Sequence, residues 1–240
     1  MKETIVLIHG FGFDKRIWLP VELAFDALEV IALSLPGFGD TPVETPYSIA
    51  QLAERYWQSI SPQQTKQVHL VGHSMGGYVC MEMAAQHPEK VASICLVHSH
   101  VFADTPEKKE ARSATVRDIR ANGRTTLVRK MIPSFFDDSD ASKRITEVLV
   151  RRGLTYNDEA WALGMEAMRD RADHRETLEN LDVPILMIMG EKDEAVPVEL
   201  AYRQAALATR CKLCIYPESR HMAMYDHTAE MIGDLIEFYG

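Results

Sequence analysis

The sequence predicts an α/β fold: a mostly parallel sheet flanked by helices, with a helical cap inserted into it. Three observations predict it. Short apolar runs recur without in/out alternation, which is the pattern of strands buried on both faces of a parallel sheet. Helical patterns alternate with those runs, the order of βαβ units. From about Val101 to Leu181 the alternation stops and only helical patterns follow. Residues 1–101 and 182–240 are therefore expected to form one core, with 102–181 as the inserted cap.

The elements follow in order. TIVLIH (4–9) reads as a buried strand of β-branched residues, leading into the glycine-rich turn GFGFDK. VELAFDAL (21–28) looks helical, and EVIALSL (29–35) is the next strand, ended by Pro36-Gly37. SIAQLAERYWQSI (48–60) has helical apolar spacing. QVHLVGH (67–73) is a strand, MGGYVCMEMAAQH (75–87) a helix stopped by Pro88, and VASICLVHSH (91–100) a further strand. In the insert, Thr105-Pro106 starts a helix that Asn122-Gly123 stops. SKRITEVLVRRG (142–153) and DEAWALGMEAMRDRA (158–172) are two more amphipathic helices. Then VPILMIMG (183–190) is a strand, VELAYRQAALA (198–208) a helix, CKLCIYP (211–217) a strand and TAEMIGDLIEFYG (228–240) the last helix.

Composition excludes several function classes. The net charge of −9 opposes binding to nucleic acid or to anionic membranes, both of which need clustered Lys and Arg. The insert balances 15 basic against 15 acidic residues, so the remainder carries the whole negative charge. No run of eighteen apolar residues occurs, and MKETIVLIHG lacks the pattern of a signal peptide, so a cytoplasmic location is expected. Cys211 and Cys214 have C-x-x-C spacing, but they lie in a strand-like run with no second Cys/His cluster. They read as buried small hydrophobes, and neither a metal nor a cofactor is expected. A small molecule is the expected partner; oligomeric state is left open.

The chemistry concentrates at Gly72-His73-Ser74-Met75-Gly76, where strand gives way directly to helix. A side chain in so sharp a turn needs minimal bulk two residues before and after it, which Gly72 and Gly76 supply. Capping of the helix by Ser74 would not require the flanking glycines, and glycine in a first turn weakens a helix. Ser74 is thus a candidate nucleophile, and its hydroxyl needs a base. His9, His73, His98, His100 and His221 all lie at the carboxyl ends of strands. His221 is the best placed, in a loop after the last strand that can lean over the serine. An acid must orient that base, and Asp193 in MGEKDEAVP is preferred to Asp104. The backbone N–H groups of Met75 and Phe11 are expected to form an oxyanion hole.

LIHGFGFDKRIW, ALSLPGFGDT, LVGHSMGGYV, MIMGEKDEAVP and RHMAMYD resemble, in order and spacing, the landmark segments of the α/β-hydrolase superfamily. The order Ser74, Asp193, His221 is similar to that superfamily's nucleophile–acid–base order. The resemblance implies an eight-stranded parent sheet from which the first two strands are missing here, and a carboxylesterase-like serine hydrolase. Ser34 stands where many relatives carry Asp before LPG. HMAM (221–224), which begins with His221, resembles compact plant methylesterases and hydroxynitrile lyases.

The expected reaction is hydrolysis of a small or medium carboxylic ester through an acyl-enzyme. The alternatives are C–C bond hydrolysis or lyase chemistry on the same residues, or a triad-retaining receptor that turns nothing over. Haloalkane dehalogenase and epoxide hydrolase chemistry is disfavoured, because those relatives use an aspartate nucleophile. Phe13, Phe38, Tyr78, His98 and Met222 are expected at the pocket. Phe135, Phe136, Trp161 and Met165 of the cap could line it too, although packing of cap on core is the preferred reading for cap aromatics and methionines.

Overall fold

The computed structural model describes residues 3–60 and 67–240. The apolar runs form β1 (Thr4–Ile8), β2 (Glu29–Leu33), β3 (Val68–His73), β4 (Val91–Val97), β5 (Ile185–Gly190) and β6 (Cys211–Tyr216). They make one six-stranded sheet in the order β2-β1-β3-β4-β5-β6. Every neighbouring pair is parallel, with Ile5 paired to Val30 on one side and His69 on the other. β1 and β5 are buried throughout, which is why they read as unbroken apolar runs. The edge strands β2 and β6 are partly exposed.

The helices are α1 (Ile49–Ser59), α2 (Met75–Gln86), α3 (Pro106–Asn122), α4 (Thr125–Ser134), α5 (Asp140–Gly153), α6 (Asp158–Arg169), α7 (Arg175–Asn180), α8 (Val198–Ala205), α9 (Ala223–Asp226) and α10 (Thr228–Tyr239). Side chains that satisfy the orphan N–H groups of a first turn begin several of them. Ser48 Oγ accepts from Gln51 N, Thr105 Oγ1 from Lys108 N, Ser139 Oγ from Ser142 N and Asn157 Oδ1 from Glu159 N. α2 packs on β1, β3 and β4, while α3 packs on α6 and α4 on α5.

Some elements differ from expectation. VELAFDAL is not an α-helix; the chain forms 3₁₀ turns over Lys15–Phe25. Pro20 lies inside that run and lacks the N–H that a regular helical ladder needs. α4 and α7 carried no readable signal: neither Arg124 nor His174 caps with its side chain, and α4 holds Pro133. β4 stops at Val97, because His98 turns to a φ of +47°. Cys211 and Cys214 are free thiols. Three residues apart on a strand, they project from opposite faces and cannot bridge. Burial pushes the Cys211 thiol up to about 11 and the Cys214 thiol up to about 12. Among the described residues no helix is long and apolar enough to cross a membrane.

Candidate active site

The chain leaves β1 to form β2 on one side and returns as β3 on the other. The loops after β1 and β3 therefore part at the carboxyl edge of the sheet, the place where open α/β sheets bind ligands. Ser74 stands at the end of β3 with φ +50° and ψ −115°, and its side chain makes no capping hydrogen bond to α2. Its backbone is held on both sides: Ser74 N–H donates to Val97 O at 2.9 Å, and Ser99 Oγ donates to Ser74 O at 2.7 Å. The turn is possible only because nothing projects from its flanks. A Cβ on Gly76 would lie 2.2 Å from Ile8 O, and one on Gly72 would lie 2.4 Å from Gly77 N.

A cavity of about 290 Å³ opens over this turn, and Ser74 and His221 both border it. His221 is fixed by four contacts. Its N–H donates to Phe135 O at 3.2 Å, its C=O accepts from His73 Nε2 at 2.9 Å, and the Phe135 ring lies 4.6 Å from its own. Its Nδ1 lies 2.7 Å from Asp193 Oδ2. A carboxylate only accepts, so Nδ1 carries the proton and Nε2 is left to the cavity.

Asp193 is fully engaged. Oδ1 accepts from the N–H groups of Ala195 and Val196, both at 2.9 Å. Oδ2 accepts from His221 and also from His98 Nδ1 at 2.9 Å. Burial alone would raise its carboxyl, but the His221 charge and the bonds from His221 and His98 outweigh it and hold the group well below the usual carboxylate range. His98 Nε2 accepts from Ala223 N–H at 3.1 Å, which fixes His98 as the neutral Nδ1–H tautomer. Its burial lowers its pKa and keeps it so.

The other histidines have structural partners. His9 Nδ1 donates to Gly10 O at 2.8 Å and its Nε2 accepts from Leu35 N–H at 2.9 Å; burial lowers its pKa to about 4. His100 Nδ1 accepts from Phe102 N–H at 3.2 Å. Asp104 forms ion pairs with Arg112 and Arg171, and among the described residues no histidine hydrogen-bonds to it.

The loop after β1 brings Phe11 to the cavity wall. Gly12 has φ +81°, and a Cβ there would strike the Trp161 ring at 2.5 Å. Trp161 stands edge-on to the Phe11 ring at 4.9 Å, so α6 seats the loop. Met75 is the first residue of α2, so its N–H has no partner within the helix. Among the described residues, neither the Met75 nor the Phe11 N–H donates to a backbone acceptor outside the regular elements.

Of the pocket residues expected from sequence, Tyr78, Phe135 and Met165 border the cavity. Phe13, Phe38, His98, Trp161, Met222 and Phe136 do not. Phe38 and Trp161 are buried against each other and Phe11, under the loop. Phe13 lies edge-on to His73, Phe136 packs on Tyr225, and Met222 is wholly buried at the start of α9. Lys108, Arg112, Met131 and Met168 line the cavity unforeseen. One signal existed: Lys108 and Arg112 stand four apart in the first turns of α3, where the helix dipole disfavours cations.

A parallel sheet with a strained serine at a strand-to-helix turn, sharing a cavity with a histidine bonded to a buried carboxylate, is the arrangement of an α/β hydrolase. The alpha/beta hydrolase family profile matches residues 5–234, and the chain belongs to that family. Among curated proteins it is similar to the pimeloyl-[acyl-carrier protein] methyl ester esterase of Neisseria meningitidis serogroup B, at 28% identity, covering 98% of this chain and 93% of the relative. Among solved structures it resembles a thermophilic esterase from Thermogutta terrifontis, with TM-score 0.92, 24% identity, and coverage of 98% and 88%. It also resembles the enol-lactonase of Burkholderia xenovorans LB400, with TM-score 0.89, 21% identity, and coverage of 99% and 91%. At these identities the two structures speak for the fold alone.

Proposed function

We propose that the protein hydrolyses a small or medium carboxylic ester through a Ser74–His221–Asp193 triad. The observation that carries this reading is that Ser74 and His221 border one cavity while His221 Nδ1 sits 2.7 Å from the buried Asp193. His221 Nε2 removes the proton as Ser74 Oγ attacks the ester carbonyl, and then delivers it to the leaving alcohol. Asp193 orients the ring and stabilises its cationic form. The N–H groups of Phe11 and Met75 hold the oxyanion. Water repeats the sequence on the acyl-enzyme and frees the acid and Ser74. The Neisseria relative, a methyl ester esterase by name, agrees with an ester as substrate. Residues 102–181 act as a cap that roofs the site, and no metal or cofactor takes part in these steps.

A panel of p-nitrophenyl esters of increasing acyl length tests the proposal. The native protein is expected to cleave the shorter members, and Ser74→Ala to lose about 10⁴-fold or more in kcat. Undiminished hydrolysis by Ser74→Ala contradicts it. No hydrolysis of any ester by the native protein moves the balance to lyase chemistry or to a receptor.

A further inference from the structure

Apart from Ser74, Tyr78 and His221, the cavity beside Ser74 is lined by apolar side chains and by three charged ones, Lys108 and Arg112 of α3 and Glu194. Arg112 is committed: Nε binds Asp104, and Nη1 rests on the sulfurs of Met165 and Met168. Asp104 also pairs with Arg171. Two guanidinium groups therefore share one carboxylate, and none remains for Lys108. Among the described residues the Lys108 ammonium has no hydrogen bond and no ion pair, although the side chain is half-buried. Burial lowers its pKa and the Arg112 charge lowers it further, while the charge of Asp104, already paired to two guanidinium groups, offsets part of this. Glu194 also borders the cavity but is exposed at its rim, where solvent screens it.

Lys108 further borders a second cavity, of about 270 Å³, that Ser74 does not reach. Arg175 and Arg203 line it too, and its carboxylates, Asp104 and Asp173, are already paired. Of the cations around the two cavities, Lys108 and Arg203 are left without a carboxylate among the described residues, and of these two Lys108 alone is half-buried and borders the cavity beside Ser74.

Resting on the esterase reading, we infer that the substrate is an ester carrying an anionic group, a carboxylate or a phosphate, away from the scissile bond, and that Lys108 binds that group. An ion pair in so sheltered a wall is expected to favour the anionic ester about tenfold over a neutral analogue of the same length.

The test measures binding, so it does not depend on turnover. Ser74→Ala is titrated calorimetrically with three sets of ligands: monomethyl esters of linear dicarboxylic acids, the matching dimethyl esters, and methyl esters ending in a phosphate. At least one anionic set is expected to bind about tenfold tighter than the dimethyl esters, and the tighter of the two identifies the anion. Adding Lys108→Gln is expected to bring that ratio near one, and adding Lys108→Arg to keep it. Equal binding of anionic and neutral esters with Lys108 intact overturns the inference. So does a preference that survives Lys108→Gln. If the preference holds but the native protein cleaves none of these esters, the esterase reading fails and the anion site stands.

Discussion

His98 and His221 donate their Nδ1 protons to the same oxygen, Oδ2 of Asp193, at 2.9 and 2.7 Å. Only His221 borders the cavity; His98 is wholly buried, and Ala223 N–H fixes its tautomer. Under the proposed mechanism His98 is a positioning residue, holding the carboxylate that orients His221. His98→Ala is expected to lower kcat by about 10- to 100-fold, the worth of a hydrogen bond to a charged group, with little change in KM. His98→Asn tolerates the positive φ and keeps an N–H donor, so it is expected to recover part of the loss. A rise in KM at unchanged kcat would instead mark His98 as a substrate contact.

Asp104 and Asp193 are separable by substitution. Asp193→Asn removes the ionised acceptor of His221 and is expected to cost on the order of 10⁴ in kcat. Asp104→Asn weakens the pairs with Arg112 and Arg171 and is expected to lower stability by about 1–3 kcal/mol while kcat stays within tenfold. Steady-state kinetics with urea unfolding decide between them. Loss of activity on Asp104→Asn alone would transfer the acid's role.

Two glycines should respond oppositely to alanine. At Gly76 a Cβ would meet the Ile8 carbonyl at 2.2 Å, and backbone cannot yield as a flexible side chain can. Gly76→Ala is expected to destabilise the protein by at least about 3 kcal/mol and to leave little folded enzyme. Gly233, within α10, has nothing within 4 Å, so Gly233→Ala is expected to add about 0.5–1 kcal/mol. Thermal midpoints of the two variants provide the check.

Acid should destabilise the fold well above the carboxylate range. Unfolded histidines take up protons below about pH 6.5. Folded, burial keeps His9 neutral down to about 4 and His100 down to about 3. Between those limits the unfolded chain binds more protons, so stability falls as the pH falls, by up to about 1.4 kcal/mol per unit for each such histidine. His73 and His98, also lowered by burial, act in the same direction. Asp193 adds to the loss below about pH 4. Urea midpoints at pH 7.5, 6 and 5 should fall in that order; a flat series would refute the assignment of buried neutral histidines.

Legibility in the sequence followed the range of the cause. The β1 and β5 runs and Gly72, where a Cβ would meet Gly77 N, report constraints within a few residues and were readable. Gly76 was readable from its place in the turn, although the atom that excludes a Cβ there is the distant Ile8 O. α4 was hidden because its ends depend on other parts of the chain: Arg124 Nη1 binds Asp158 Oδ1 at 2.7 Å, and its Nη2 binds Leu154 O. Phe13 and Phe38 lie outside the cavity wall for a related reason, while Trp161 packs cap on core as preferred for the cap aromatics. Composition cannot say whether Phe38 or Trp161 faces a ligand or lies beneath the loop, since either burial removes the same apolar area from water. The bond from His98 to Asp193 spans 95 residues and left no local trace.

Labelling with a fluorophosphonate probe, mapped by mass spectrometry, tests the central claim most directly. The native protein is expected to take up one equivalent, on Ser74, and Ser74→Ala none. No adduct on the native protein, an adduct on another residue, or undiminished labelling of Ser74→Ala would contradict the assignment of Ser74 as the nucleophile.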